Sequence, residues 1–251
     1  MGAGWNRAAR RNVRRAVTTM YSVPAGLLLD FGNVITISLF EQHRQTEELL
    51  GLPRGSLTWL GPIDPSTDPL WRAMQHDEIT EREYWARRAQ EIGRLAGDDQ
   101  DWDMLGFLTR IRNTDPNAAV RPEARRAIRA ARAAGIKVGV LSNELELFYG
   151  KAFLHRFDVL KDIDCIVDAT HTRILKPSPQ AYALGAETMG LPAERILFVD
   201  DQFRNIAGAH QFGMQTQFFD LRDPGGSYRA VLARLGLNTV VPYGSRTLIQ
   251  R

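Results

Sequence analysis

The chain has 251 residues, 44% hydrophobic and 24% charged, a globular composition that excludes disorder over most of its length. No apolar run nears the ~20 residues that cross a bilayer; the longest, Val23 to Phe31, is of strand length and interrupted by Pro24 and Asp30. The formal charge of +3 comes from Arg7, Arg10, Arg11, Arg14 and Arg15. Without them 27 basic residues face 29 acidic ones, so neither nucleic acid nor a membrane is an expected partner.

The arginine-rich start lacks the apolar core of a secretory signal and reads as a solvated tail over residues 1–22, with a transit peptide or a phosphate-attracting arm as alternatives. Gly26 to Phe31 reads as a buried strand whose Asp30 emerges at the carboxyl edge of a sheet. Residues 39–118 change texture, with aromatic, helical segments broken by glycine and proline. Within them Thr80-Glu81-Arg82-Glu83 matches a capping box opening a helix. Trp59, Trp71, His76, Tyr84 and Trp85 make this block aromatic; Trp71 and His76 are expected to face the site, with core packing as the plainer alternative.

From residue 119 a regular rhythm returns. Pro122 to Ala134 reads as a helix ended by Gly135, Lys137 to Ser142 as a strand, and Leu145 to Arg156 as one helix. A strand Cys165 to Asp168, a helix Pro177 to Met189, a strand Ile196 to Asp200, a helix from Phe203 and a strand Gln215 to Phe219 follow. This alternation defines an α/β fold, an open parallel sheet with helices on both faces. Residues 23–38 and 119–240 form its core, residues 39–118 a small helical cap inserted after the first strand, and residues 241–251 an irregular tail. The lone Cys165 offers no disulfide and no zinc cluster; it is expected to be a buried small hydrophobe, and a reducing, cytoplasmic setting fits.

Ligands of open α/β sheets bind outside the carboxyl ends of the strands, where Asp30, Ser142 and Asp200-Asp201 fall. Asp30 is a candidate nucleophile, or a turn aspartate. Ser142 and Asn143 can hold an anionic oxygen, or cap the next helix. Lys176, one of four lysines in an arginine-dominated chain, suits a point contact to phosphate or carboxylate. Asp200 and Asp201 repel each other unless a cation is shared, and oxygen ligands point to magnesium over zinc.

Together these segments resemble the haloacid dehalogenase superfamily. Leu27-Leu28-Leu29-Asp30-Phe31-Gly32-Asn33-Val34-Ile35 is similar to its first motif and Val140-Leu141-Ser142-Asn143 to its second. Leu175-Lys176-Pro177 is similar to the third, and Phe198-Val199-Asp200-Asp201 with Asn205 to the fourth. The resemblance implies a Rossmann-like core and an aspartyl-phosphate on Asp30, with Ser142 holding a phosphoryl oxygen and Lys176 orienting the nucleophile. It also implies Mg2+ held by Asp30, Asp200, Asp201 and the Gly32 carbonyl, with Asn33 and Asn143 near the substrate; Trp71 and His76 are expected there because Asp68 to Trp71 reads as a loop entering a short helix. The expected substrate is a small phosphorylated metabolite, a sugar phosphate first, acted on by a monomer or homodimer.

Gly32 departs from the pattern, because most phosphatases of that superfamily carry a general-acid aspartate there. The leaving group then needs little protonation, or His76 or a water donates, or turnover is lost and the chain is a binding scaffold. A metal-independent 2-haloacid dehalogenase is the near alternative, and the acidic pair Asp200-Asp201 argues against it.

Overall fold

Leu27, Leu28 and Leu29 are completely buried, and their side chains alternate between two hydrophobic clusters, as the two-residue period of a strand requires. They belong to β1 (Gly26–Leu29), the middle strand of a five-stranded parallel sheet in the computed structural model, which describes residues 22–98, 102–111 and 115–237. The others are β2 (Lys137–Ser142), β3 (Cys165–Asp168), β4 (Ile196–Asp200) and β5 (Gln215–Phe218), in the order β3-β2-β1-β4-β5. The register places Leu29 beside Val140 on one side and Val199 on the other, so Asp30, Ser142 and Asp200 end their strands at one edge. Strand order reverses about β1, which opens a crevice at that edge.

Both faces of the sheet are covered. Leu27, Leu29, Val138, Val140, Leu197 and Val199 share a cluster with helices Pro122–Ala133 and Pro224–Arg234. Leu28, Leu141 and Phe198 pack with Tyr182 and Met189 of helix Pro179–Met189 and Ala209 of helix Phe203–Phe212. The expected α/β architecture is therefore the observed one. No helix among the described residues is long and apolar enough to cross a membrane.

The chain leaves the core at Thr36 and returns at Val120, where the two passing segments meet in an antiparallel bridge. Arg121 fastens this crossing: its Nε donates to the Asn33 carbonyl at 3.0 Å, and its guanidinium forks onto both oxygens of Glu41. Between the passes stand helices His43–Leu50, Pro69–Gln75, Glu81–Leu95 and Met104–Ile111. Glu81–Leu95 opens with the expected capping box, Thr80 and Glu83 each satisfying the other's backbone. The inserted helices form no separate core; Phe40, Trp59, Trp71, Tyr84 and Trp85 belong to the cluster that continues from the sheet.

Three local expectations change. The helix expected from Leu145 to Arg156 is two short ones, Leu145–Tyr149 and Lys151–Leu154, because Gly150 takes φ 74° and ψ 142° between them. The helix expected from Pro177 begins at Pro179, after Ser178 in extended conformation. Cys165 is only half-buried, since β3 is an edge strand with one flank unpaired. The two expected tails, apart from Ser22, lie outside the described residues.

Candidate active site

Asp30, freed from β1 but still bonded through its N–H to the Val199 carbonyl at 2.9 Å, stands at the head of a tight turn, residues 31–35. Gly32 and Asn33 depart from helical angles there, Asn33 adopting φ 64°, a conformation asparagine tolerates better than most residues. That turn aims Asn33 Nδ2 at Asp201 Oδ2, 2.9 Å away.

A single ammonium joins the carboxylates. Lys176 Nζ donates to Asp30 Oδ1 at 2.8 Å and to Asp200 Oδ2 at 2.7 Å, with its side chain 2% exposed. Asp200 receives further bonds from the Gln202 N–H at 2.8 Å and from Asn205 Nδ2 at 3.1 Å to each oxygen. The side chain of Asn143 holds the Lys176 backbone. Ser142, nearly buried, lines the same cavity as Asp30 and Lys176.

Asp30, Asp200 and Asp201 present oxygens within 4.8 Å of one another. Three carboxylates against one lysine leave two negative charges in excess. Burial raises the Asp30 carboxyl, Lys176 pulls it down and Asp200 pushes it back up, to about 7. Burial, then Asp200 and Asp30, raise Asp201 well above the usual carboxylate range. Asp201 Oδ1 is buried without a hydrogen-bond partner. An all-oxygen donor set with an orphaned, buried carboxylate oxygen fits a hard divalent cation such as magnesium.

The structure brings Asp30, Gly32, Asn33, Ser142, Asn143 and Lys176 to one cavity wall and seats Asp200 and Asp201 behind them. It corrects two expected substrate contacts. Trp71 is buried edge-on against Phe40 and Tyr84, packing within the inserted helices. His76 is exposed at the end of helix Pro69–Gln75 and does not line the cavity. Asn33 and Asn143 line the cavity, Asn33 Nδ2 bonded to Asp201 and the Asn143 amide to Lys176 and Glu81.

Glu81 went unnoticed in the sequence. Its Oε2 accepts from Asn143 Nδ2 at 3.1 Å and its Oε1 from Gln202 Nε2 at 3.3 Å, so the first turn of an inserted helix is latched to the ends of β2 and β4. Gln75 Nε2 donates to Gln202 Oε1 at 3.2 Å, and Arg204 reaches the Met74 carbonyl and Asp77. An acidic first turn also suits a helix N-terminus, and that local explanation hid the longer reach.

A nucleophile-grade carboxylate, a lysine bridging two acids and an acidic pair at the end of a neighbouring strand define a hydrolase site on a parallel α/β sheet. Residues 25–213 match the haloacid dehalogenase-like hydrolase family, and the chain belongs to it. It is 36% identical over 95 residues to haloacetate dehalogenase H-2 of Moraxella sp. (strain B), covering 38% of this chain and 42% of that one. It is 33% identical over 99 residues to phosphatase MT3486 of Mycobacterium tuberculosis (strain CDC 1551 / Oshkosh), covering 39% and 46%. The chain thus spans less than half the length of both relatives. The crystal structure of the L-2-haloacid dehalogenase RSc1362 shares the fold, with TM-score 0.56 and 19% identity over 79% of this chain and 87% of that one.

Proposed function

We propose that this hydrolase is a magnesium-dependent phosphomonoesterase working through an aspartyl-phosphate on Asp30. The observation that carries the reading is the excess of buried carboxylate over lysine, with Asp201 Oδ1 left unpartnered. A carbon–halogen displacement can use a second acid to activate the water that hydrolyses the ester intermediate, but it leaves the third without a cation. A phosphoryl group, carrying its own negative charge, needs a cation there.

In this reading Asp30, Asp201 and the Gly32 carbonyl hold the ion, with Asp200 behind them. Bound magnesium supplies charge neutralisation at the phosphoryl oxygens. Asp30 attacks phosphorus in line with the leaving oxygen, and Lys176 aims the attacking carboxylate and opposes the burial that disfavours its ionised form. Ser142 donates its hydroxyl to a phosphoryl oxygen. Water then cleaves the aspartyl-phosphate. The partner is a small phosphorylated metabolite, and a cytoplasmic monomer or homodimer suffices.

A second reading has its own support. Gly32 provides no proton donor, and a departing halide needs none, so 2-haloacid dehalogenation suits the motif as it stands. The two are separated by p-nitrophenyl phosphate and 2-chloropropionate, each with magnesium or with EDTA. The phosphatase reading expects nitrophenol release that EDTA and Asp30→Asn abolish. Chloride release indifferent to EDTA, without phosphate release, establishes the dehalogenase instead.

A further inference from the structure

We propose that the substrate is an aryl phosphate, the monoester of a phenol with an apolar body, rather than a sugar phosphate; this rests on the phosphatase reading and narrows it. Two independent observations converge on it, one about protons and one about the cavity wall.

The first is that the described acidic and phenolic side chains on the wall are already engaged. An ideal Cβ at Gly32 meets nothing within 4 Å, so the place of a general acid is open space. Both Glu81 oxygens accept from amides. Glu144, whose carboxyl burial raises and Arg82 pulls back down, is held by Arg82 Nε at 3.1 Å, and Asp115 Oδ1 accepts the Asn117 N–H at 2.9 Å. The Tyr149 hydroxyl lies 3.5 Å from Thr36 Oγ1, and burial raises its phenol above the ordinary range, making it a poorer donor. A leaving oxygen that departs unprotonated is the one this wall serves.

An alkoxide is a poor leaving group, its conjugate acid being about as weak as bulk water at pKa ~15.7. A phenol, like the tyrosine side chain, has pKa ~10 and leaves as phenolate. The Asp30 Oδ–P bond forms as the P–O(aryl) bond breaks, both electrons of the latter going to the phenolate, which takes its proton from solvent. Water then adds to phosphorus and the P–Oδ bond breaks, regenerating the Asp30 carboxylate and releasing inorganic phosphate.

The second observation is the cavity itself, about 200 Å³ between the sheet edge and the inserted helices. Its polar lining includes Asp30, Glu81, Ser142 and Lys176, and also Gln42, Gln45 and Asp115. Leu39, Trp85, Leu108, Ile111, Phe148 and Tyr149 supply its apolar lining, with Trp85 and Phe148 edge to face at 6.3 Å. Sugar hydroxyls set against these apolar side chains lose their water partners without replacement. An aromatic ring gains contact area and ring-to-ring geometry.

The test uses the full chain with magnesium and compares kcat/KM for 1-naphthyl phosphate, phenyl phosphate, glucose 1-phosphate and glycerol 1-phosphate. The aryl esters are expected to exceed both others by about 100-fold, the low end of what general acid catalysis is worth. Naphthyl is expected to exceed phenyl, and Phe148→Ala to erase that difference. Glucose 1-phosphate or glycerol 1-phosphate turned over as fast as the aryl esters overturns the proposal and leaves the phosphatase reading standing. No magnesium-dependent hydrolysis of any of the four by folded protein removes that reading, and the proposal with it.

Discussion

Asn143 clasps the backbone of Lys176 from both sides, its Oδ1 accepting the Lys176 N–H at 2.7 Å and its Nδ2 donating to the Lys176 carbonyl at 3.2 Å. The clasp ties the end of β2 to the loop carrying the ammonium, 33 residues further along the chain. Asn143→Ala therefore acts through Lys176 without removing it. A misplacement near 1 Å at a reacting group costs about 100-fold in rate, and that fall in kcat against p-nitrophenyl phosphate is expected. Leaving the buried Lys176 N–H unpaired adds a stability loss of about 1–3 kcal/mol, read from urea midpoints.

A second buried ion pair stabilises the inserted helices rather than the site. Asp68, fully buried, caps helix Pro69–Gln75 through the Trp71 N–H at 2.8 Å, accepts the Tyr84 hydroxyl at 2.7 Å and pairs with Arg88. Arg88 in turn lies 4.7 Å over the Trp59 ring. Arg88→Met strands the Asp68 charge among aromatic side chains and is expected to cost about 3–5 kcal/mol, the range for breaking a buried pair. The double variant Arg88→Met with Asp68→Asn recovers part of that loss in the same urea titration. A single variant as stable as the parent would show the pair to be dispensable.

What the sequence disclosed and what it hid divide along range. Asp30, Ser142 and Asp200 were legible because each ends an apolar run, and a parallel sheet brings the ends of such runs to one edge. Trp71 was misread because its partner Phe40 is remote in the chain, and no local pattern says which way a helical indole turns. Glu81 was hidden for the same reason, its partners lying 62 and 121 residues away. Gly150 breaks a helix whose apolar periodicity continues on both sides, so only its backbone angles reveal the break.

His43 makes the inserted helices sensitive to acid. It packs edge-on against Trp59 at 4.4 Å, and burial lowers its imidazole from 6.5 to about 4. The folded state holds His43 neutral where the unfolded chain already binds a proton. Its contribution is therefore complete above pH 6.5 and lost as pH falls from 6.5 towards 4. Across that window the urea midpoint of the parent should fall with acid relative to that of the His43→Gln variant, which lacks this titration. Parallel slopes for the two proteins would mean that His43 titrates normally in the fold.

Gly32 offers the converse experiment, adding a group instead of removing one. Its φ of −62° and ψ of 140° are open to any residue, and an added Cβ meets nothing within 4 Å, so the backbone and Cβ of Gly32→Asp are accommodated. The new carboxyl would stand at the motif position where the resemblance expects a general acid, and the backbone carbonyl is retained. General acid assistance is worth about 100- to 10,000-fold where it is needed, and it is needed most for an alkanol leaving group. Glycerol 1-phosphate hydrolysis by Gly32→Asp is expected to rise at least about tenfold over the parent, with a much smaller gain for phenyl phosphate. The rise should weaken above the pH at which the new carboxyl loses its proton, because an acid must be protonated to donate. Equal gains for both esters would instead point to a better-held ion or phosphoryl group, since protonation of the leaving oxygen cannot favour the two alike.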